Sequence, residues 1–571
     1  MCGIIGIISK KEFTLKEAFQ RLKRVEYRGY DSFGYFDGEV LIKETGHVKI
    51  PEIEKKANVA ILHTRWSTHG KVSKENAHPH FSCDNKIAIV HNGIIKNYEE
   101  IKDELIKLGH KFTSETDSEI IAHYFEEKLK DKAINDVCVD FINEVKGEFA
   151  IALMFAGHKN IYALRRDSPL VLGLCDDGYI LASDLFAFSN KTDKAIFFEN
   201  DEFAIIENNK YQFFNREGNE IEKEIKTFVW NQEESEKGQY EHYMMKEIME
   251  EPIVVNRLLF SIENEQKEDF GKLVGLIRKQ KKIVFVAAGT SYHAALLGVY
   301  YLHKCGVEAQ ALIASEFEHF AFLDENSLVI AITQSGETMD VIEALKYTKS
   351  RKAKIASIVN VPYSIIQRMS DISFNIMAGQ EICVAATKSF VNQVTLLLRI
   401  AQEFGFKINL NNLSEKISLL LSQKEEIKKI AEEICHNNDI YVLGRGLSYP
   451  VAREVALKIK EISYIHAEGM MGGELKHGTL ALIEQGTPVI ALISNKDYDM
   501  LSNVREAETR GGKIIKVANK FEGDININTS NDGKFGILAT IFGQLLTYYI
   551  ALKKELPIDK PRSLAKSVTV K

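Results

Sequence analysis

Apolar and polar positions follow two different rhythms along the chain. Through the first 225 residues, the short runs IIGIIS, VAILHT, KIAIVHNG, FAIALMF, NIYALRR and YILASD lie between Gly, Asn or Asp and read as strands. Two stretches break that rhythm with apolar residues at helical spacing: residues 97–108, and residues 117–129 after the capping run Ser114-Glu-Thr-Asp. Short strands with few helices predict an α+β layered domain. Near residues 227–239 the sequence turns polar (NQEESEKGQ), which predicts a linker. Beyond it, apolar strands alternate with long amphipathic helices, the pattern of a parallel, doubly wound α/β sheet.

This second part repeats itself. IVFVAAGTSYHAA at 283–295 aligns with IYVLGRGLSYPVA at 440–452, placing Gly289, Ser291 and Tyr292 opposite Gly446, Ser448 and Tyr449. VIAI at 329–332 answers VIAL at 489–492, and 354–360 answers 513–519. Collinear matches at nearly one offset, with a period too long for a solenoid, predict one α/β domain duplicated. The expected organisation is residues 1–225, a linker and connecting helix at 226–269, α/β copies at 270–425 and 426–557, and a tail at 558–571.

Length adds that 571 residues exceed what one core supports. A net charge of −7 gives no reason to expect nucleic acid or an anionic membrane as partner. The 7 cysteines form no CxxC pair, which fits a reducing, cytoplasmic setting and argues against a disulfide framework or a structural zinc site. The N-terminal apolar run is too short for a secretory signal. Residues 535–552 are nearly all apolar and long enough to span a bilayer, but they contain Gly536, Gly543, Gln544 and Thr547 and read as a buried helix.

Cys2 directly follows the initiator Met, so removal of Met1 would put a thiol and a free α-amine on one residue. An α-amine has an ordinary pKa of about 7.7–8.0, and its neutral fraction can act as base for the thiol. A lone Cys2 would be an incidental cysteine. Here CGIIG is followed in order by Tyr27-Arg-Gly-Tyr-Asp-Ser, His63-Thr-Arg-Trp-Ser-Thr-His-Gly, Asn76-Ala-His-Pro-His, His91-Asn-Gly and Ser114-Glu-Thr-Asp-Ser-Glu. Together these closely resemble the glutamine amidotransferase domain of the N-terminal-nucleophile (Ntn) class.

The resemblance implies that Cys2 is the nucleophile and that the Asn92 side chain and Gly93 N–H form the oxyanion hole. It also implies that Arg65 binds the glutamine α-carboxylate, Asp117 the α-ammonium, and that Thr68 and His69 line the pocket. Trp66 would gate the passage of ammonia. Phe33 departs from the pattern, since relatives carry a small residue there. His78, His80 and Cys83 could be misread as metal ligands; without a carboxylate or second cysteine at ligand spacing they read as polar-loop residues, and no metal is expected.

In the first α/β copy, the strand-like run at 328–332 enters Thr333-Gln-Ser-Gly-Glu-Thr338 and then a helix. Hydroxyls of Thr333, Ser335 and Thr338 at a helix N-terminus make a phosphate cradle without a lysine, and Gly289-Thr290-Ser291 ends the neighbouring strand in the same way. The equivalent turn of the second copy, Ile493-Ser-Asn-Lys, has lost the pattern. With the duplication, these residues resemble paired sugar-isomerase (SIS) domains.

The combination of both modules implies nitrogen transfer from glutamine to fructose 6-phosphate by a homodimeric enzyme that needs no cofactor. By the same resemblance, Lys566 forms a Schiff base with the ketose, Glu461 moves the C1/C2 proton with Lys458 assisting, and His477 opens the sugar ring. The backbone of Val384 and Ala565 contacts the sugar, with Gln334 beside the phosphate hydroxyls; Ala386 stands where many relatives carry a serine. No SGGxDS ATP loop is present, which argues against an asparagine synthetase. A deglycase would share the sugar half but would not require Cys2 and its companions.

Overall fold

In a computed structural model describing residues 2–67, 69–228 and 237–569, each strand run expected in the first 225 residues forms a strand. The chain divides into two units, one built on residues up to 233 together with the chain end from 567, the other on residues 234–566.

The first unit holds two antiparallel sheets of eight and seven strands. Gly3–Thr14 lies inside the first, paired on one side with Lys56–Arg65 and on the other with Gly178–Ala182. In the second sheet Ile87–Ile95 pairs with Gly147–Phe155. Period-two alternation gives each of these strands two buried faces. Ala88, Val90, Ala150, Ala152 and Met154 meet Ile4, Ile8 and Ile61 between the sheets. Their neighbours Ile87, Ile89, Phe149, Ile151 and Leu153 pack outward against Ile101, Leu105, Ile120, Phe125 and Phe141 of the helices. The helices expected at 97–108 and 117–129 run Tyr98–Lys107 and Glu119–Lys128. A further helix, Leu15–Arg24, covers the other face of the first sheet and starts with a full capping box between Thr14 and Glu17. Phe33 is buried edge-on to Phe19 of that helix, so the large side chain finds its space in this outer core layer.

The second unit contains two parallel five-stranded sheets. Numbered within its own copy, each has the strand order 2-1-3-4-5: Gln310–Ile313, Lys282–Ala287, Ser327–Thr333, Lys354–Val359 and Ile372–Asn375 in one, His466–Met471, Asp439–Gly444, Pro488–Ile493, Lys513–Ala518 and Ile525–Asn526 in the other. Identical order in both sheets is the structural form of the sequence repeat. The apolar segment 535–552 lies in the helix Asp532–Lys553, which is long and apolar enough to cross a membrane and is instead buried, packed against Ser448–Ser463 and Lys424–Ile434. Residues 229–236 of the expected linker lie outside the described residues. The helix Tyr243–Glu263, expected as a connector, belongs to the second unit and buries Met244, Ile248, Val255 and Leu258 in its core.

Candidate functional site

Cys2 opens the central strand of the first sheet, and its neighbours hold it from several sides. The Trp66 N–H donates to Cys2 Sγ at 3.2 Å, and the thiol lies 3.5 Å from the Trp66 carbonyl. The Cys2 carbonyl accepts from Asn92 Nδ2 at 2.9 Å and Arg28 Nε at 3.3 Å. Burial pushes the Cys2 thiol up, opposed by the Trp66 hydrogen bond and by the Arg65 and Arg28 charges.

The orientation of Asn92 has a traceable cause. Burial lowers His63 to about 3, so its ring is neutral, and Nε2 faces two oxygens: Asn92 Oδ1 at 3.0 Å and the His91 carbonyl at 3.1 Å. Nε2 therefore carries the hydrogen, which fixes Oδ1 toward His63 and turns Nδ2 toward Cys2. The following Gly93 has φ +125°, and a Cβ there would lie 1.9 Å from the Glu148 carbonyl oxygen, so only glycine fits.

Arg65 is buried and donates to the carbonyls of His69, Gly70 and Lys71, shaping the turn that carries His69. Thr68 lies outside the described residues. Asp117 is buried and accepts the Ile95 N–H at 2.8 Å. The Ser114–Ser118 run works in reverse of the expected cap: Glu119, in the first helical turn, accepts from Thr113 N at 2.8 Å and Ser114 N at 2.6 Å and so holds the loop that presents Asp117. The Trp66 ring sits edge-on to Tyr30 at 5.5 Å.

Sequence reasoning did not single out Arg28, Asp31, His63 or Asp184. Arg28 bridges the Cys2 carbonyl and Asp184, at 3.1 Å, while Asp31 accepts the Ser67 N–H at 2.8 Å. The Tyr-Arg-Gly-Tyr-Asp-Ser and His-Thr-Arg-Trp runs contained three of them. His78 packs on His63 and meets His80 edge-on, both as buried rings that burial keeps neutral, and Cys83 instead meets His110 and His123.

In the second unit, the order 2-1-3-4-5 makes a crevice where strands 1 and 3 send their chains to opposite faces. Gly289-Thr290-Ser291 leaves strand 1 and Thr333–Thr338 leaves strand 3, so the two hydroxyl-rich turns flank this switch point. Thr333 Oγ1 accepts the Gly336 N–H at 3.2 Å and lies 3.3 Å from Thr338 Oγ1. Ser335 Oγ accepts the Glu337 N–H at 3.1 Å, and the Gln334 carbonyl accepts from Asn360 and Val361. Thr290 donates to Glu454 at 3.1 Å and Ser291 accepts from Gln393 at 3.0 Å, so these two hydroxyls already have protein partners.

Glu454, Lys458 and Glu461 share one face of Ser448–Ser463 at helical spacing. Lys458 is buried and pairs with Glu461 and, at 3.5 Å, with Glu454; burial would lower its pKa, but the two carboxylates raise it, so it stays charged. Lys566 is led to its position by a pinned tail. Asp559 accepts from the Tyr243 and Met244 N–H groups at 3.0 Å, and its carbonyl accepts from Val384 at 3.0 Å. The Arg562 N–H then donates to Tyr464 Oη at 2.7 Å, at the end of the helix bearing Glu461.

Lys566 Nζ meets Glu381 Oε2 at 2.5 Å, a residue the sequence reading passed over. Burial would raise Glu381, but Lys566 and the N–H groups of Thr387 and Ser389 bring it down to about 2. Glu247, accepting from Ile382 and Cys383, is pushed up to about 8 by burial and by Glu381. Ala565 precedes Lys566 on the half-buried tail, whereas His477 ends the turn Gly472–His477 as an exposed side chain.

Comparison with known proteins bears on both units. Residues 1–241 match the family described as glutamine amidotransferase domain, and 276–401 and 433–532 match the SIS domain. The chain is 39% identical to a glutamine–fructose-6-phosphate aminotransferase [isomerizing] of Pyrococcus horikoshii and 40% identical to one of Thermococcus kodakarensis, over the full length of each pair. Among solved structures, the C-terminal domain of glucosamine-fructose-6-phosphate aminotransferase from Francisella tularensis superposes with a TM-score of 0.53 at 36% identity, covering 57% of this chain and 99% of that one.

Proposed function

The chain belongs to the isomerizing glutamine–fructose-6-phosphate aminotransferases, and from that premise we propose which residues carry each half of the reaction. The enzyme moves the amide nitrogen of glutamine onto fructose 6-phosphate and isomerises the product, giving glucosamine 6-phosphate and glutamate.

In the first half, the Cys2 sulfur attacks the glutamine amide carbon. Its proton passes to the α-amine freed by loss of Met1 and then to the leaving ammonia. Water cleaves the resulting thioester to release glutamate. Asn92 Nδ2 and the Gly93 N–H stabilise the oxyanion at both steps. In this resting arrangement Asn92 Nδ2 donates to the Cys2 carbonyl, close to where the oxyanion forms, which supports that role. Arg65 and Asp117 take the two charged ends of glutamine; Thr68 and His69 complete the pocket.

In the second half, Thr333, Ser335 and Thr338, with Gln334, hold the phosphate at the switch-point crevice, with Thr290 and Ser291 beside them. His477 opens the ring, and the Lys566 amine condenses with the C2 carbonyl and releases water. Ammonia replaces the lysine as the imine nitrogen. Glu461, paired with Lys458, takes the C1 proton and returns it at C2. The backbones of Val384 and Ala565 hold the sugar.

The observation that carries this reading is the Lys566–Glu381 pair: a tail lysine would ordinarily be solvated, and here it is held in the fold against a buried carboxylate. His477, exposed and apart from these buried pairs, supports a homodimer in which the partner supplies the histidine. Seven free cysteines support a cytoplasmic setting.

The reaction is tested by incubating the protein with glutamine and fructose 6-phosphate and measuring both products, which are expected in equal amounts. Trp66→Ala should retain glutamine hydrolysis but form glutamate in excess of glucosamine 6-phosphate. Equal amounts in that variant would remove Trp66 from the ammonia path.

A further inference from the structure

On the helical side of the first unit, outside the residues assigned above, four potential metal ligands converge: Cys83, His110, His123 and Glu126. Cys83 lies in the turn after the strand His80–Phe81, His110 follows the helix Tyr98–Lys107, and His123 and Glu126 stand three apart on Glu119–Lys128. Cys83 Sγ is 3.6 Å from His110 Nδ1 and 3.5 Å from His123 Nδ1, and the two nitrogens are 3.3 Å apart. Glu126 Oε2 lies 3.1 Å from His110 Nδ1 and 3.5 Å from His123 Nδ1.

These separations can be compared with those of a tetrahedral metal site. Zinc–nitrogen bonds of about 2.0–2.1 Å and zinc–sulfur bonds of about 2.3 Å give edges of about 3.3 Å between nitrogens and about 3.5 Å from sulfur to nitrogen. The five separations among these atoms given above are close to those edges, and all four ligand atoms lie within 4.8 Å of one another.

The surrounding groups point the same way. His110 Nε2 is 2.8 Å from Glu127 Oε2, and His123 Nε2 is 3.7 Å from Glu119 Oε1. The Glu127 carboxylate places the His110 hydrogen on Nε2 and so turns the His110 Nδ1 lone pair toward Cys83, His123 and Glu126, whereas His123 Nε2, 3.7 Å from Glu119, is beyond hydrogen-bond reach. The Lys111 N–H donates to Cys83 Sγ at 3.4 Å, and the Cys83 and Asp84 N–H groups hold the Glu126 carboxylate at 2.9 and 3.1 Å. As metal ligands, a thiolate, a carboxylate and two imidazoles would together carry two negative charges, which a divalent ion cancels. Both imidazoles are buried, whereas the thiol is exposed and offers an entry path.

We infer that Cys83, His110, His123 and Glu126 form a four-coordinate structural zinc site that staples the Cys83 turn and the loop after Tyr98–Lys107 to the helix Glu119–Lys128. With all four positions filled by protein, the ion has no open site for catalysis. Its role is to fix the segment from His110 onward, which ends at Asp117. This revises the expectation that no metal would be found near Cys83: the sequence reading tested Cys83 against His78 and His80, whereas its partners lie 27 and 40 residues away.

The test is titration of the purified full-length protein with zinc(II), and with cobalt(II) as the spectroscopic probe. One equivalent should bind, and cobalt should give the near-ultraviolet thiolate charge-transfer band and the intense visible bands of a tetrahedral site. Cys83→Ser should lose the charge-transfer band, and His110→Gln should lose stoichiometric binding. Cys2→Ala should keep both. In case the variants fold poorly, the wild-type protein is also melted with excess zinc and with a strong chelator, and zinc should raise Tm. A band that is absent from wild type, survives Cys83→Ser or disappears in Cys2→Ala would overturn the site. Equal Tm with zinc and chelator would do the same, leaving protons to hold the four atoms together.

Discussion

A buried carboxyl next to a charged one is forced to differ from it, and Glu247 and Glu381 illustrate the consequence. Glu381 is held down to about 2 by Lys566 and backbone N–H groups, while Glu247, desolvated and facing that negative charge, is pushed up to about 8. Near neutral pH the pair therefore keeps one proton, on Glu247. Its ordinary pKa is 4.5, so between 4.5 and about 8 the native state holds a proton that the unfolded chain releases. Stability from this group is thus fully present below 4.5 and is lost as pH rises toward 8. Glu247→Gln keeps an acceptor for the Ile382 and Cys383 N–H groups and cannot ionise. The variant should match wild type in stability near pH 5 and exceed it near pH 8, by on the order of a few kcal/mol. Denaturant midpoints of the two proteins across that range are the measurement, and parallel curves would show that Glu247 does not titrate there. None of this was legible in the sequence. Glu381 sits in Gly-Gln-Glu-Ile-Cys with no pattern to mark it, and its importance arises only where the loop, the helix Tyr243–Glu263 and the chain end converge.

At the scale of elements, the sequence was most informative where periodicity was clean. The strand runs of the first unit, the two helices near Asn97 and Asp117 and the apolar helix Asp532–Lys553 all lie close to where their patterns predicted. The duplication was visible because Gly289/Gly446 and their neighbours sit at the same strand-to-helix turn in both copies, where backbone geometry limits the residue choice. The helix Leu15–Arg24 shows a signal that was present but unread. Thr14-Leu-Lys-Glu17 is a capping-box sequence, and in the structure Thr14 N donates to Glu17 Oε2 at 2.7 Å while Glu17 N donates to Thr14 Oγ1 at 3.2 Å. Its apolar residues Ala18, Phe19 and Leu22 supply the packing that fixes it against the first sheet. Thr14→Ala removes one side of the box and should cost about 1 kcal/mol of stability. Denaturant unfolding of the variant beside wild type would record it, and a change within error would mean that packing alone sets this helix end. Glutamine hydrolysis should be unaffected, because the cap is exposed and makes no contact with Cys2.

At the scale of the whole molecule, the residues proposed for sugar chemistry divide into buried and exposed groups. Lys566 is locked to Glu381 and Glu461 to Lys458, and the tail carrying Lys566 is fastened by Asp559 and Arg562. His477 stands apart from these networks as an exposed side chain on the turn Gly472–His477. Ring opening needs the imidazole within hydrogen-bond reach of the sugar, while the sugar must also reach the Lys566 amine. A second copy of the chain can satisfy both requirements if its turn covers the crevice, and two-fold symmetry would then complete both sites at once. The prediction follows from counting sites. Mix equal amounts of His477→Ala and Lys566→Ala and allow subunits to exchange. Half of the dimers are then mixed, and each mixed dimer has one site with an intact lysine from one chain and an intact histidine from the other. Activity should therefore recover to about a quarter of wild type, although each variant alone makes no glucosamine 6-phosphate. Glutamine hydrolysis should persist in both variants throughout, which separates loss of sugar chemistry from loss of folding. If exchange is verified by mass and synthesis stays at zero, each site is built within one chain, and His477 must reach its sugar by a movement of its own turn.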